Sequence, residues 1–212
     1  MNARARTDRR APHRGDLRRS ALLAALAELL KDSGGNLDPI TIAEIAKRAG
    51  LTRSAFYFYF ENKAAAVAAT LEEMYDAVFA VTDVLVGPGD PAARIEHTAR
   101  SLVEFSERHR HLFRAALEAR NASPEVRRMW EDDRQAFIPA IAAMIDDERA
   151  AGRAPDGADA TALADVLLLL NERLLERLTL GTGLDRENYV NAVVTVWLRT
   201  VYGRVPVDRG TS

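Results

Sequence analysis

Seven residues between positions 41 and 63 have side chains suited to contacts with a nucleic acid. Hydroxyl and ammonium groups donate hydrogen bonds to phosphate oxygens, and an arginine can donate two bonds to one guanine edge. Arg53 and Ser54 are therefore the candidates for base contacts, and the others are candidates for phosphate or supporting contacts. The full set is Thr41, Thr52, Arg53, Ser54, Tyr57, Tyr59 and Lys63.

Two short helices joined by a tight turn are expected to position these side chains. Gly50 suits the left-handed backbone where the first helix ends, and Thr52 is a natural N-cap for the second. The connection Gly50-Leu51-Thr52 has the length of a helix-turn-helix, whose second helix enters the major groove of DNA. We assign the phenylalanines of this second helix to the core. They are Phe56, Phe58 and Phe60.

Helical periodicity extends along the whole chain and predicts an all-α fold of about nine helices. No alternating strand pattern of useful length is present. Pro139 lies inside an amphipathic stretch and is expected to kink it. The predicted helices cover residues 16–32, 40–49, 52–60, 63–86, 91–106, 111–120, 124–151, 158–179 and 185–204.

The composition argues against catalysis and against a metal centre. The chain has 212 residues and no cysteine, which excludes a thiolate metal cluster and a cysteine nucleophile. His109 and His111 are two residues apart and cannot share a helix face. The sequence contains neither a glycine-rich phosphate loop nor a nucleophile elbow. We therefore expect no enzyme activity, no cofactor and no metal.

Charge is distributed unevenly along the chain, although the net charge is only −2. Residues 1–63 carry twelve Lys and Arg against seven Asp and Glu, and the remainder carries seventeen against twenty-four. A basic end on an acidic body favours a polyanionic partner, and a solvated disordered tail is the alternative for residues 1–14. The apolar run 21–27 is too short for a secretory signal or a membrane span, so we expect a cytoplasmic protein without membrane contacts.

Residues 41–63 resemble the DNA-binding signature of TetR-type transcriptional regulators. The resemblance is carried by Gly50-Leu51-Thr52, by the aromatic run 56–60 and by Lys63. Residues 56–63, 171–173 and 196–203 are also similar to the EthR-type repressors within that family. The resemblance implies a helix-turn-helix domain over residues 16–62 and a domain for effector binding and dimerisation over 63–212. The arginine-rich residues 1–15 are assigned to a disordered basic arm.

A second cluster of apolar and polar residues predicts a ligand pocket in the C-terminal domain. By resemblance, Trp130, Phe137, Asn171 and Trp197 match positions that line the hydrophobic tunnel of EthR-type proteins. A few polar groups in an apolar cavity are typical of small-molecule sites, although the same residues could fill a core or pair with Arg173. The predicted pocket residues are Leu102, Phe105, Phe113, Trp130, Phe137, Ile141, Met144, Asn171, Glu172 and Trp197.

Two amphipathic helices at the end of the chain are suited to forming a four-helix interface between two copies. An ordinary monomeric core is the alternative. The predicted interface residues are Leu163, Val166, Leu167, Leu174, Val190, Val194 and Val201.

Together these features predict a ligand-responsive transcriptional regulator that acts as a repressor. As a homodimer it would bind a palindromic double-stranded DNA operator, and a largely hydrophobic small molecule would release it. The alternative is a helical small-molecule-binding protein without operator activity.

Overall fold

The computed structural model describes residues 14–72, 82–181 and 185–203, and these segments are helical apart from their connections. The all-α prediction is therefore confirmed for the described residues, and residues 82–86 are helical as well. The helices are α1 (Arg14–Asp32), α2 (Ile42–Arg48), α3 (Arg53–Tyr59), α4 (Lys63–Glu72), α5 (Pro91–Arg108), α6 (Arg110–Ala122), α7 (Pro124–Gln135), α8 (Ile138–Ala150), α9 (Ala160–Leu180) and α10 (Arg186–Tyr202).

Short polar side chains determine where most of these helices begin. Asp90 accepts a hydrogen bond from the backbone of the first turn of α5, and Asp159 and Asp185 do the same for α9 and α10. These caps satisfy N–H groups that have no partner within the helix. At the other end, α9 and α10 stop at Gly181 and Gly203, which have φ angles of 71° and 62°.

The first hydrophobic core joins the N-terminal helices to α6. Leu26, Ile45, Phe56 and Val67 come from α1, α2, α3 and α4, and all four are fully buried. Ala115 of α6 is buried in the same cluster. α1 and α4, which share this core with α2 and α3, therefore pack directly on a helix of the C-terminal half.

A second core holds the C-terminal helices together. Val103 of α5, Ile145 of α8, Leu167 of α9 and Trp197 of α10 are each at most 1% exposed in this cluster. Among the described helices, none is both long enough and apolar enough to span a membrane.

The stretch 124–151 differs from its prediction, because it forms two helices instead of one kinked helix. α7 ends at Gln135, and α8 begins at Ile138 with Pro139 in its first turn. A proline is tolerated there because N–H groups of the first turn have no partner within the helix, whereas in a helix interior it would remove a hydrogen bond.

The predicted long helix 63–86 is described only at its two ends. Residues 63–72 and 82–86 are helical, and its middle lies outside the described residues. The predicted arm over residues 1–15 also lies outside them, except that α1 already begins at Arg14.

Candidate nucleic-acid interface and internal cavity

The helix-turn-helix is built as its sequence predicts. α2 ends at Arg48 with Ala49 as its C-cap, and Gly50 has a φ of 68° that reverses the chain. Leu51 N donates to the Ala46 carbonyl at 2.8 Å, which closes the turn. Thr52 then caps α3, because its hydroxyl accepts from Ala55 N at 3.2 Å.

The outer face of α3 carries a connected group of exposed side chains. Arg53 Nη2 donates to the hydroxyl of Tyr57 at 3.2 Å, and its guanidinium lies 5.6 Å from the centre of the Tyr57 ring. Tyr57 is 47% exposed, and Thr52, Arg53 and Ser54 are also exposed. Because Arg53 and Tyr57 are one turn apart, each restricts the other before any ligand binds.

Phe58 contradicts its assignment to the core, because it is 81% exposed on α3. Phe56 and Phe60 are buried as expected. Helical spacing explains the difference, since residues four apart share a face and the residue midway between them lies on the opposite one. The sequence signal for this surface was therefore present in the spacing of 56, 58 and 60. An exposed phenylalanine on α3 adds an apolar surface to the candidate interface.

Thr41 and Lys63 differ from their expected roles as phosphate donors. The hydroxyl of Thr41 donates to Glu44 Oε2 at 2.7 Å and its backbone N–H donates to the same oxygen, forming a capping box for α2. These hydrogen bonds from Thr41 lower the pKa of Glu44. Lys63 Nζ donates to the carbonyl oxygens of Leu37 and Ile40 at 2.8 Å each and also to that of Asp38. Both residues therefore hold the helix-turn-helix in place.

Tyr59 is half-buried, and its ring packs against the first core. Phe58 contacts this ring edge-on, with 4.9 Å between the ring centres. Tyr57 and Phe58 are therefore exposed to solvent, whereas the ring of Tyr59 packs beneath α3 and supports it.

The C-terminal half encloses a cavity of about 190 Å³. Its wall is mainly apolar and includes side chains from α4 to α10. Of the predicted pocket residues, Leu102, Phe105, Phe113, Trp130, Phe137, Ile141, Asn171, Glu172 and Trp197 lie in the wall.

Met144 does not line this cavity, contrary to prediction. It is 6% exposed in the second core, and its sulfur accepts a hydrogen bond from the hydroxyl of Tyr202 at 3.5 Å. Met144 instead packs between α8 and α10, beside Tyr202.

Two of the polar wall residues are fixed by indole groups. Trp130 Nε1 donates to Glu172 Oε1 at 2.8 Å, and Arg120 donates to the same oxygen at 2.9 Å. Trp197 Nε1 donates to Asn171 Oδ1 at 3.2 Å. Glu172 is therefore neutralised by Arg120 and not by its neighbour Arg173, which pairs with Glu176.

Sequence reasoning missed further wall residues, mainly because each was isolated among core residues. Thr98 lies on α5 and Tyr189 on α10. Their positions in the helical repeat are the same as those of neighbouring core residues, so the sequence pattern does not distinguish them. The missed residues are Leu71, Thr82, Leu85, Thr98, Arg134, Leu168, Leu175 and Tyr189.

α6 joins the cavity to the candidate interface. Phe113 faces the cavity, while Leu112 and Ala116 of the same helix lie in the first core. Glu118 Oε2 accepts a hydrogen bond from the backbone of Leu37 at 3.1 Å, in the connection before α2. A shift of α6 would therefore act on the helix-turn-helix through packing and through this hydrogen bond.

The predicted dimer residues separate into three groups by their exposure. Leu167, Val190 and Val201 are at most 2% exposed within one chain, so they cannot contact a second copy in this fold. Leu163, Leu174 and Val194 are half-buried against the second core. Val166 is 60% exposed, and Leu169 and Leu180 of the same helix are each 45% exposed. The strongest apolar stripes were assigned to the interface, but the core of each chain uses most of them.

The fold and the helix-turn-helix define a bacterial transcriptional regulator. Residues 22–70 match the bacterial regulatory proteins of the tetR family, and residues 95–203 match the C-terminal domain of the transcriptional regulator EthR. The chain belongs to the TetR family of DNA-binding transcriptional regulators and, within it, to the EthR type. Both family models and the EthR relatives are transcriptional regulators and not enzymes.

Relatives and solved structures agree with this assignment. The transcriptional regulator EthR of Mycolicibacterium smegmatis is 33% identical over 197 residues, which are 91% of this chain and 90% of that protein. EthR of Mycobacterium tuberculosis is 33% identical over 195 residues, or 89% of each chain. A TetR-family regulator from Pectobacterium atrosepticum shares the fold with a TM-score of 0.68 at 19% identity, over 92% of this chain and all of that one.

Proposed function

We propose that this regulator is a repressor whose affinity for its operator falls when a largely apolar small molecule fills the cavity. The observation that carries the proposal is the shared wall of the cavity: Leu71 of α4 and Phe113 of α6 line it, and both helices also pack in the core beneath α3. A ligand shifts an equilibrium only through different affinities for two conformations. Here those conformations would differ in the position of α3.

On the DNA side, Arg53 and Ser54 are proposed to contact base edges. Tyr57 would donate to a phosphate, and Phe58 would contact an apolar edge such as a thymine methyl group. Tyr59 and Thr52 would support α3 from its inner side and its first turn. Arg53 is the best candidate for base contacts because its side chain is exposed and already oriented by Tyr57.

The proposed homodimer uses the exposed face of α9, with α10 beside it. Val166, Leu169 and Leu180 have spacings of three and eleven residues, which place them on one side of a helix. Burial of such a stripe against its symmetry-related copy would give an isologous interface. A two-fold axis there would present two copies of α3 to a palindromic operator.

Selection of bound sequences from a random duplex library is the experiment that tests the operator proposal. We expect a palindromic consensus, and fluorescence polarisation should then give an affinity that weakens as salt rises, since phosphate contacts release counterions. Binding without sequence preference would contradict a role as an operator-specific repressor. A cell extract of apolar small molecules should weaken operator binding by the wild-type protein. The Thr98→Trp variant, whose larger side chain fills part of the cavity, should not respond.

A further inference from the structure

One corner of the cavity contains two hydroxyl groups without a hydrogen-bond partner among the described residues. The Oγ1 atom of Thr98 on α5 is buried and makes no hydrogen bond, and the residue is 8% exposed. Tyr189 on α10 is 1% exposed and lines the cavity, and no hydrogen bond of its hydroxyl is found in the described part of the chain. A buried polar group without a partner is costly, so such groups are uncommon in folded proteins.

The two residues meet in the same place. Both line the main cavity, and both also line a side chamber of about 10 Å³ together with Asn171 and Trp197. Asn171 uses its Oδ1 atom to accept from Trp197, as described above. The remaining wall of the side chamber is apolar, formed by Leu85, Ile95, Ala99, Leu102 and Val193. The chamber therefore has room for about one heavy atom, in a wall that includes Thr98 and Tyr189.

We propose that this corner binds the uncharged oxygen acceptor of the effector, such as the carbonyl of a ketone, ester or amide, through donors on Thr98 and Tyr189. The inference rests on the proposed function, because it takes the cavity as the effector site. A carbonyl oxygen has two lone pairs and can accept from both hydroxyls at once. The apolar remainder of the effector would then lie along the wall toward Phe137 and Trp130.

The charges around the cavity favour an uncharged effector over a carboxylate. Arg134 lines the cavity, and its buried Nε makes no hydrogen bond within the segments that the structure describes. Its guanidinium is already paired, however, with three carboxylates, those of Glu131, Asp165 and Glu172. Arg94 lies one turn before Thr98, and its guanidinium is paired with Glu148. Burial raises the pKa of Tyr189 far above its usual value, so the phenol remains a neutral donor. Burying a carboxylate without a free cation would be unfavourable.

The test measures ligand binding without DNA. The two tryptophans of the chain, Trp130 and Trp197, both line the cavity, so their fluorescence reports occupancy. The probes are cyclohexyl methyl ketone, its hydrocarbon counterpart ethylcyclohexane, and a charged counterpart, the carboxylate anion cyclohexylacetate. The variants are Thr98→Val and Tyr189→Phe, which remove one hydroxyl each with little change of shape. Thr161→Val, at an exposed position of α9, is the matched control.

We expect each of the two cavity variants to raise the ratio of ketone Kd to hydrocarbon Kd by about tenfold, and the control to leave it unchanged. The ratio is used because the two probes differ in hydrophobicity. A ratio equal to that of the wild type in both variants would overturn the inference while leaving the proposed effector response intact. Tighter binding of cyclohexylacetate than of the ketone would also overturn it. If none of the probes binds, both this inference and the proposed effector site fail.

Discussion

Arg53 and Tyr57 form a hydrogen-bonded pair across one turn of α3, with 3.2 Å between Nη2 and the phenol oxygen. The pair holds the guanidinium on the exposed side of the helix before DNA is bound. Ordering a long side chain in advance lowers the entropy lost on binding.

Arg53→Ala should relax base preference at one position of each operator half-site. If Arg53 contacts guanine, the loss on the preferred sequence is about 1–3 kcal/mol, with little change on unrelated DNA. Competition binding with single-base operator variants measures this. Arg128→Ala removes an exposed arginine from α7 and serves as the control. An unchanged preference in the Arg53 variant would refute the assigned role.

Phe58→Ala should weaken operator binding without lowering stability. Phe58 is 81% exposed, so its removal leaves no cavity, whereas loss of its apolar contact with DNA would cost roughly 1–2 kcal/mol. Polarisation titration and thermal unfolding separate these effects. Phe56→Ala, at a position with 0% exposure, should show the reverse, a destabilisation of about 3–5 kcal/mol. Equal operator affinity of wild type and the Phe58 variant would count against the contact.

Lys63→Met should reduce the free energy of unfolding by about 1.5–3 kcal/mol, because three carbonyl oxygens lose their charged donor. Chemical denaturation measures this directly. The salt dependence of DNA binding should keep its slope, since the ammonium is not used on phosphate. A shallower slope together with unchanged stability would instead support a phosphate contact.

Glu148 should make stability dependent on acid pH. Burial favours the protonated form, but hydrogen bonds from Arg153 and Arg94 outweigh it and keep the pKa of Glu148 below its usual value of 4.5. A carboxyl with a depressed folded-state pKa contributes stability that is complete above about pH 4.5 and is lost as pH falls through the folded-state value. Urea unfolding between pH 3 and 7 should show this loss, and Glu148→Gln should flatten it. Parallel pH profiles for both proteins would contradict the assignment.

Val166→Glu combined with Leu169→Glu should convert the proposed dimer into a monomer. The two positions are 60% and 45% exposed, so the fold of one chain should tolerate both charges. Light scattering after size exclusion gives the mass, and far-ultraviolet circular dichroism checks helicity. Leu17→Glu, on the exposed side of α1, is the control and should remain dimeric. If the double variant is still a dimer, the interface does not lie on this face of α9.

Local sequence patterns determined the helices and the helix-turn-helix. Gly50 and Thr52 act within a few residues of themselves, through backbone conformation and capping, so their effects can be predicted without knowing the fold. About half of the cavity wall was also predicted, and the resemblance supplied four of these positions, Trp130, Phe137, Asn171 and Trp197.

Only the tertiary structure decided how individual side chains are used. Lys63 donates to carbonyl oxygens in the connection before α2, more than twenty residues earlier, although its sequence position also allowed a contact with a DNA phosphate. Leu167 is buried within its own chain, although its apolar stripe also allowed a contact with a second subunit. Thr98 and Tyr189 lie ninety-one positions apart in the chain but on the same cavity wall. Periodicity predicts which face of a helix is apolar, but packing between distant segments determines which neighbour that face meets, and this depends on the whole chain.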